Sequence, residues 1–168
     1  MSKIFSDYKQ FKQDIEKYKL EDDAATYIGF TLALLVQGRD PTDKFILDKI
    51  REVLNFDSAL PGAIIAHITS FSIKSKALLD DKNLYALFLD KEDGSVQALD
   101  YIAKLCYGLT LGMIHCDKSK SITKSQNAKN SFELFSAITE LDCNSEFDDK
   151  SFHEVKDAVI EAIYLLNQ

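Results

Sequence analysis

A chain of 168 residues, 46% hydrophobic and 28% charged, has the composition of a folded globular domain and the length to bury a core of its own. Its 27 acidic against 20 basic side chains leave a formal charge of −7, which argues against a nucleic-acid surface, since phosphates are held by clustered Lys and Arg. With two prolines and six glycines between long periodic segments, the pattern favours helices over many short strands.

In the first segment Ile4, Phe5, Tyr8, Phe11, Ile15 and Tyr18 step by threes and fours, which predicts a helix with one buried aromatic stripe. Such a stripe is core, or packs across a dimer axis. Leu20-Glu21-Asp22-Asp23 then places negative charge beside the unpaired N–H groups of the next helix. That helix is expected over 24–37, apolar on most sides, with Gly29 as a contact for a neighbouring helix and Gly38 just past the last turn. Asp40 and Pro41 predict the cap and first residue of a helix to about Asn55, with Phe45, Ile46, Ile50, Val53 and Leu54 inside. Ser58 is the expected cap of the following helix, with Pro61 in its first turn and Ile64, Ile65, Ile68, Phe71 and Leu78 on one face. A short helical turn at Leu84 to Phe88 and a loop with an Asp93-Gly94 turn come next.

The longest apolar segment, Ser95 to Cys116, is expected to be a helix at the centre of the fold, capped by Ser95. Val96, Leu99, Ile102, Ala103, Cys106, Leu109 and Met113 recur at helical spacing, while Leu105, Tyr107, Leu111 and Ile114 extend the apolar surface round it. Asp100 and Lys104 interrupt the run, which argues against a membrane span. Gly108 and Gly112 share one side, where each costs roughly 1 kcal/mol of helix propensity. They predict the close approach of another backbone, of a ligand or of a partner. A polar connection follows over 117–130, then a helix carrying Ala128, Phe132, Phe135, Ile138 and Leu141. After an acidic loop to Lys150, Ser151 and Glu154 form a capping box for a last helix whose stripe is Val155, Ala158, Val159, Ala162, Ile163 and Leu166.

No GxSxG, Walker, GxGxxG or HExxH signature is present in the sequence, which lowers the expectation of an enzyme. His115 and Cys116 are the adjacent soft ligands, and a zinc site there needs His67, His153 or Cys143 brought in by the fold. The plainer reading puts His115 near a helix end and the cysteines in the core. Cys106, Cys116 and Cys143 are widely spaced, and with a polar first segment they point to reduced thiols in a cytoplasm. The acidic last third, from Glu140 and Asp142 through Glu146, Asp148, Asp149 and Glu154 to Asp157 and Glu161, reads as a solvated face, the alternatives being a cation site or a patch for a basic partner. Lys118, Lys120, Lys124 and Lys129 read as a solvated loop, the alternative being a contact with phosphate.

Leu105-Cys106-Tyr107-Gly108-Leu109-Thr110-Leu111-Gly112-Met113 resembles the Trp-Cys-x-Gly-Phe-Leu-x-Gly-Leu signature of the bacterial YgfB/YecA-like family. Ile28-Gly29-Phe30 through Gln37-Gly38 is similar to that family's first apolar helix, and Phe147-Asp148-Asp149 through Leu166 to its acidic loop and closing helix. The chain departs from the signature in having Leu105 in place of tryptophan and Thr110 in place of a leucine. The resemblance implies an all-helical bacterial cytoplasmic protein, with no catalytic residues to carry over and without the C-terminal zinc module of some relatives.

The expectation is therefore a single all-α domain over 1–168, a bundle of about seven helices, with Gly29, Gly108 and Gly112 as its packing or interaction positions. It has no cofactor and works as a non-enzymatic interaction or regulatory protein. Its partner is another protein, with a homodimer included, and neither nucleic acid nor membrane. A third mode is indirect transcriptional control through a DNA-binding partner. The alternative is a small-ligand or metal-dependent enzyme with a site between helices, lined by His67, His115 and Asp100.

Overall fold

Periodic apolar stripes fold into seven α-helices and one 3-10 turn, and no strand occurs among the described residues. The computed structural model describes residues 3–90, 95–116, 125–141 and 148–167. In order, the elements are α1 (Lys3–Lys17), α2 (Ala24–Leu35), α3 (Lys44–Leu54), α4 (Gly62–Asp80), the 3-10 turn (Leu84–Leu87), α5 (Ser95–Ile114), α6 (Gln126–Thr139) and α7 (Asp149–Leu166). The buried side chains form one connected core to which all seven helices contribute.

Both α2 and α5 are rich in apolar residues, but the structure uses them differently. Every residue of α2 is buried, whereas α5 keeps Val96, Lys104, Tyr107 and Ile114 exposed. Each large apolar side chain of α2, such as Phe30 or Leu32, contributes on the order of 1.5–3 kcal/mol by leaving water. The contact of α2 with α5 is the most extensive between any two elements.

The helix ends follow local hydrogen bonding more than the simplest capping pattern. Asp23 caps α2 by accepting the N–H of Ala25 at 3.0 Å. Gly38, at φ +94°, turns the chain beyond α2, with its N–H on Leu35 and that of Arg39 on Leu34. The cap of α3 is Asp43 instead of Asp40. Asp40 accepts both the N–H and the hydroxyl of Thr42, at 2.9 and 2.6 Å, closing a turn of its own, so the Phe45 N–H falls to Asp43.

Ser58 does not open α4. Its N–H returns to Asn55, and the Asn55 amide holds the carbonyls of Ser58 and Ala59, after two left-handed residues, Phe56 and Asp57. Pro61 is the residue before α4, with no side-chain cap. The capping box at Ser151 is displaced by one turn, because Asp148 accepts the Ser151 N–H at 2.7 Å and α7 begins at Asp149. Ser95 stands in the first turn of α5, and the Asp93-Gly94 turn lies outside the described residues.

The stripe of α1 is spent inside the chain. Ile4, Phe5, Tyr8, Phe11 and Ile15 are buried, and Phe11 stacks on His67 with ring centroids 4.9 Å apart. Tyr18 follows the end of α1 and is partly exposed, so it does not belong to that stripe. Two pairs a heptad apart fasten α1 to α4, Asp7 to Lys74 at 2.5 Å and Asp14 to His67 at 2.6 Å.

Candidate functional site

The three glycines singled out by sequence lie in the seam between α2 and α5, and what each would meet fixes how close the helices are. A β-carbon on Gly29 would stand 2.0 Å from the Leu105 carbonyl oxygen. One on Gly108 would stand 2.1 Å from the Thr26 carbonyl oxygen and 2.8 Å from the Phe30 nitrogen. One on Gly112 would stand 2.6 Å from the Ala33 β-carbon. Real β-carbons do not come so near, so the two backbones meet directly. The Thr26 hydroxyl adds a hydrogen bond to the Lys104 carbonyl at 3.3 Å. What approaches Gly29, Gly108 and Gly112 is the chain itself.

About a quarter turn round α5 from Gly108, a second stripe faces outward. It runs through Val96, Asp100, Lys104, Tyr107, Leu111 and Ile114, at steps of three and four. Tyr107 is 38% exposed and Ile114 52% exposed, large values for apolar side chains on a helix so rigidly held. Beside it lies a cleft of about 290 Å³, lined by Asp100, Ala103, Lys104 and Tyr107 and closed by Thr139 and Leu141 at the end of α6.

Two interior tyrosines, Tyr8 and Tyr101, are engaged structurally. Tyr8 donates to Asp23 at 2.9 Å, and Tyr101 donates to the Leu87 carbonyl at 2.6 Å. Burial, reinforced by the charge of Asp23, raises both phenols well above their ordinary range. Burial also raises Asp22, beside Glu21. The Tyr27 hydroxyl is buried without a hydrogen-bond partner among the described residues, and burial raises it too.

His67, His115 and Asp100 are not gathered around one cavity. His67 lies between Phe11 and Asp14, Asp100 lines the cleft, and His115 is exposed past the end of α5. The hydrogen bond from His67 holds the Asp14 carboxyl below the usual carboxylate range. Among the described residues no group of three or more His, Cys, Asp or Glu is placed to hold a metal ion. Cys106 is buried and its thiol pushed up by burial, while Cys143, Lys118, Lys120, Lys124, Asp142 and Glu146 lie outside the described residues. Asp148 is occupied in capping α7.

Pairs far apart in sequence escaped the sequence reading: Asp7 with Lys74, Asp14 with His67, and Lys156 with Asp90. Lys156, 1% exposed on α7, reaches Asp90 at 2.6 Å and lies 5.0 Å from the Tyr85 ring centroid. The signal for Lys156 was its place in the apolar series Phe152, Val159 and Ile163.

No protein-family model matches the sequence, and no curated protein matches it. The crystal structure of lpg0076 protein from Legionella pneumophila is similar in fold, with a TM-score of 0.72 and 19% identity, over 95% of this chain and 93% of that one. At that identity the likeness concerns the fold alone.

Proposed function

We propose that the chain is a non-enzymatic interaction or regulatory protein of the bacterial cytoplasm, divergent from the YgfB/YecA-like proteins it resembles, and that it receives an amphipathic helix of a protein partner on the outward stripe of α5. The observation that carries this reading is the exposure of Tyr107 and Ile114 on a helix whose other side is locked to α2 backbone to backbone. A rigid helix offering side chains at three- and four-residue steps, with a cleft alongside, suits the helix-in-groove mode of recognition. Asp100 and Lys104 at one end add charges of both signs that set its direction. The cytoplasmic assignment rests on the polar first segment and on the wide spacing of the three cysteines in the sequence.

The test is affinity capture from the native cell with the wild-type chain and with Tyr107→Glu and Ile114→Glu. The reading expects a protein retained by the wild type and lost with both variants, and a peptide of its apolar helix that binds the purified chain. Equal retention by all three, or turnover of a metabolite by the purified chain, contradicts it.

A further inference from the structure

The cleft that opens onto the α5 stripe differs from the stripe in its chemistry. Asp100, half-buried in its lining, has a carboxylate that forms no hydrogen bond or ion pair among the described residues. Thr139, on the α6 side, gives its hydroxyl proton to the Phe135 carbonyl at 2.9 Å, so its side chain has only acceptor capacity left to offer. Thr139 also ends α6, where the carbonyl pole of the helix dipole is negative, and the exposed Glu140 caps that end. Lys104 brings positive charge to the lining, but it is exposed and lies toward α2. Its carbonyl accepts the Thr26 hydroxyl, and its charge reaches Asp22. Between Asp100 and α6 the cleft therefore offers acceptors and negative charge, with Tyr107 beside them.

We infer that an arginine of the partner's amphipathic helix enters this cleft, its guanidinium held between the Asp100 carboxylate and the face of the Tyr107 ring. Such an occupant presupposes the helix-in-groove reading and narrows the partner to a helix that carries a cation among its apolar residues.

Three features favour a guanidinium. It donates five N–H groups and accepts none, the complement of a wall that accepts. Asp100 and Tyr107 are two turns apart on one side of α5, about 10 Å along its axis, and helical side chains lean toward the N-terminus, which carries the Tyr107 ring back toward Asp100. A planar cation between them meets the carboxylate with its edge and the ring with its face, a geometry that an ammonium does not match. Finally, an apolar helix laid on the stripe takes water from the Asp100 carboxylate in a cleft of about 290 Å³, and a cation arriving on that helix compensates the loss. The charge of −7 draws a basic segment to the chain in the first place.

The test pans the immobilised full chain with a phage-displayed library of amphipathic helical peptides randomised along one face. Peptides retained by the wild type and lost with Ile114→Glu, which is on the stripe but outside the cleft, are expected to carry an arginine among their apolar positions. For the tightest of them, Asp100→Asn weakens binding about tenfold, replacing the peptide's arginine by glutamine does the same, and the two changes together cost scarcely more than one. The peptide change needs no variant chain, and an unchanged helical circular dichroism spectrum checks the fold of Asp100→Asn. Lys104→Gln leaves the affinity equal or higher. Peptides that depend on Ile114 but carry no arginine, or that are indifferent to Asp100→Asn, overturn the inference and leave the helix-in-groove reading standing. If no retained peptide depends on Tyr107 or Ile114, both fall. Free arginine or spermidine bound as tightly as the peptides also overturns the inference, since the cleft would then be a site for a small cation.

Discussion

Lys156 Nζ lies 2.6 Å from Asp90 Oδ1, and the two partners are buried unequally: the lysine side chain is 2% exposed, the aspartate 46%. The ammonium has been drawn into the core beneath Tyr85, while the carboxylate keeps water. On the same helix, Tyr164 accepts the N–H of Leu84 at 3.0 Å, so α7 grips the irregular segment between α4 and α5 at both ends.

That inequality predicts unequal mutants. Asp90→Ala strands a buried positive charge and is expected to cost on the order of 3 kcal/mol, whereas Lys156→Met fills the same volume with an apolar chain and leaves a carboxylate that water can reach. Urea unfolding of both variants checks the order: Asp90→Ala the less stable, Lys156→Met near the wild type.

Two tyrosines give a second contrast. The Tyr8 hydroxyl donates to the capping carboxylate of Asp23, and Tyr8→Phe is expected to lose about 1–2 kcal/mol with it. The Tyr27 hydroxyl is buried without a partner among the described residues, so Tyr27→Phe is expected to be neutral or stabilising. Thermal unfolding of the pair should show shifts in different directions or of clearly different size.

Carboxylates predict how stability varies with acid. The Phe45 N–H and Arg39 lower the Asp43 carboxyl, as the His67 hydrogen bond lowers that of Asp14. A depressed pKa means that the unfolded chain takes up protons first. The stabilisation is therefore present above the ordinary value of about 4 and is lost as pH falls below it. Asp22 has the opposite sign: its carboxyl is raised by burial, so its ionisation opposes folding at neutral pH. Asp43→Ala should destabilise at pH 7 and matter less in acid. Asp22→Asn should stabilise at pH 7, with a gain that shrinks toward pH 4. Chemical denaturation across that pH range reads both.

The helical class was legible because three- and four-residue periodicity is a property of the sequence alone, and Ile4, Tyr8, Phe11, Ile46, Ile50, Ile64 and Ile68 fall inside as that spacing requires. Caps were less legible, because Asp40 and Asp43, or Ser151 and Asp148, compete for the same N–H groups and only the path of the preceding turn decides. The glycine pattern pointed to a close backbone without saying whose. Asp14 and His67 are 53 positions apart, and no local pattern joins them. Lys156 was hidden by its charge, since a buried lysine is recognised only when Asp90 is found beside it.

The central claim is that α2 and α5 touch backbone to backbone, and the unfolding temperature of Gly108→Ala tests it by sign. Alanine improves helix propensity by about 1 kcal/mol, so without the contact the variant would melt higher. With the Thr26 carbonyl in the way, overpacking dominates, and a net loss of about 2 kcal/mol should lower the midpoint by roughly 4–8 °C. A midpoint that holds or rises would contradict the account.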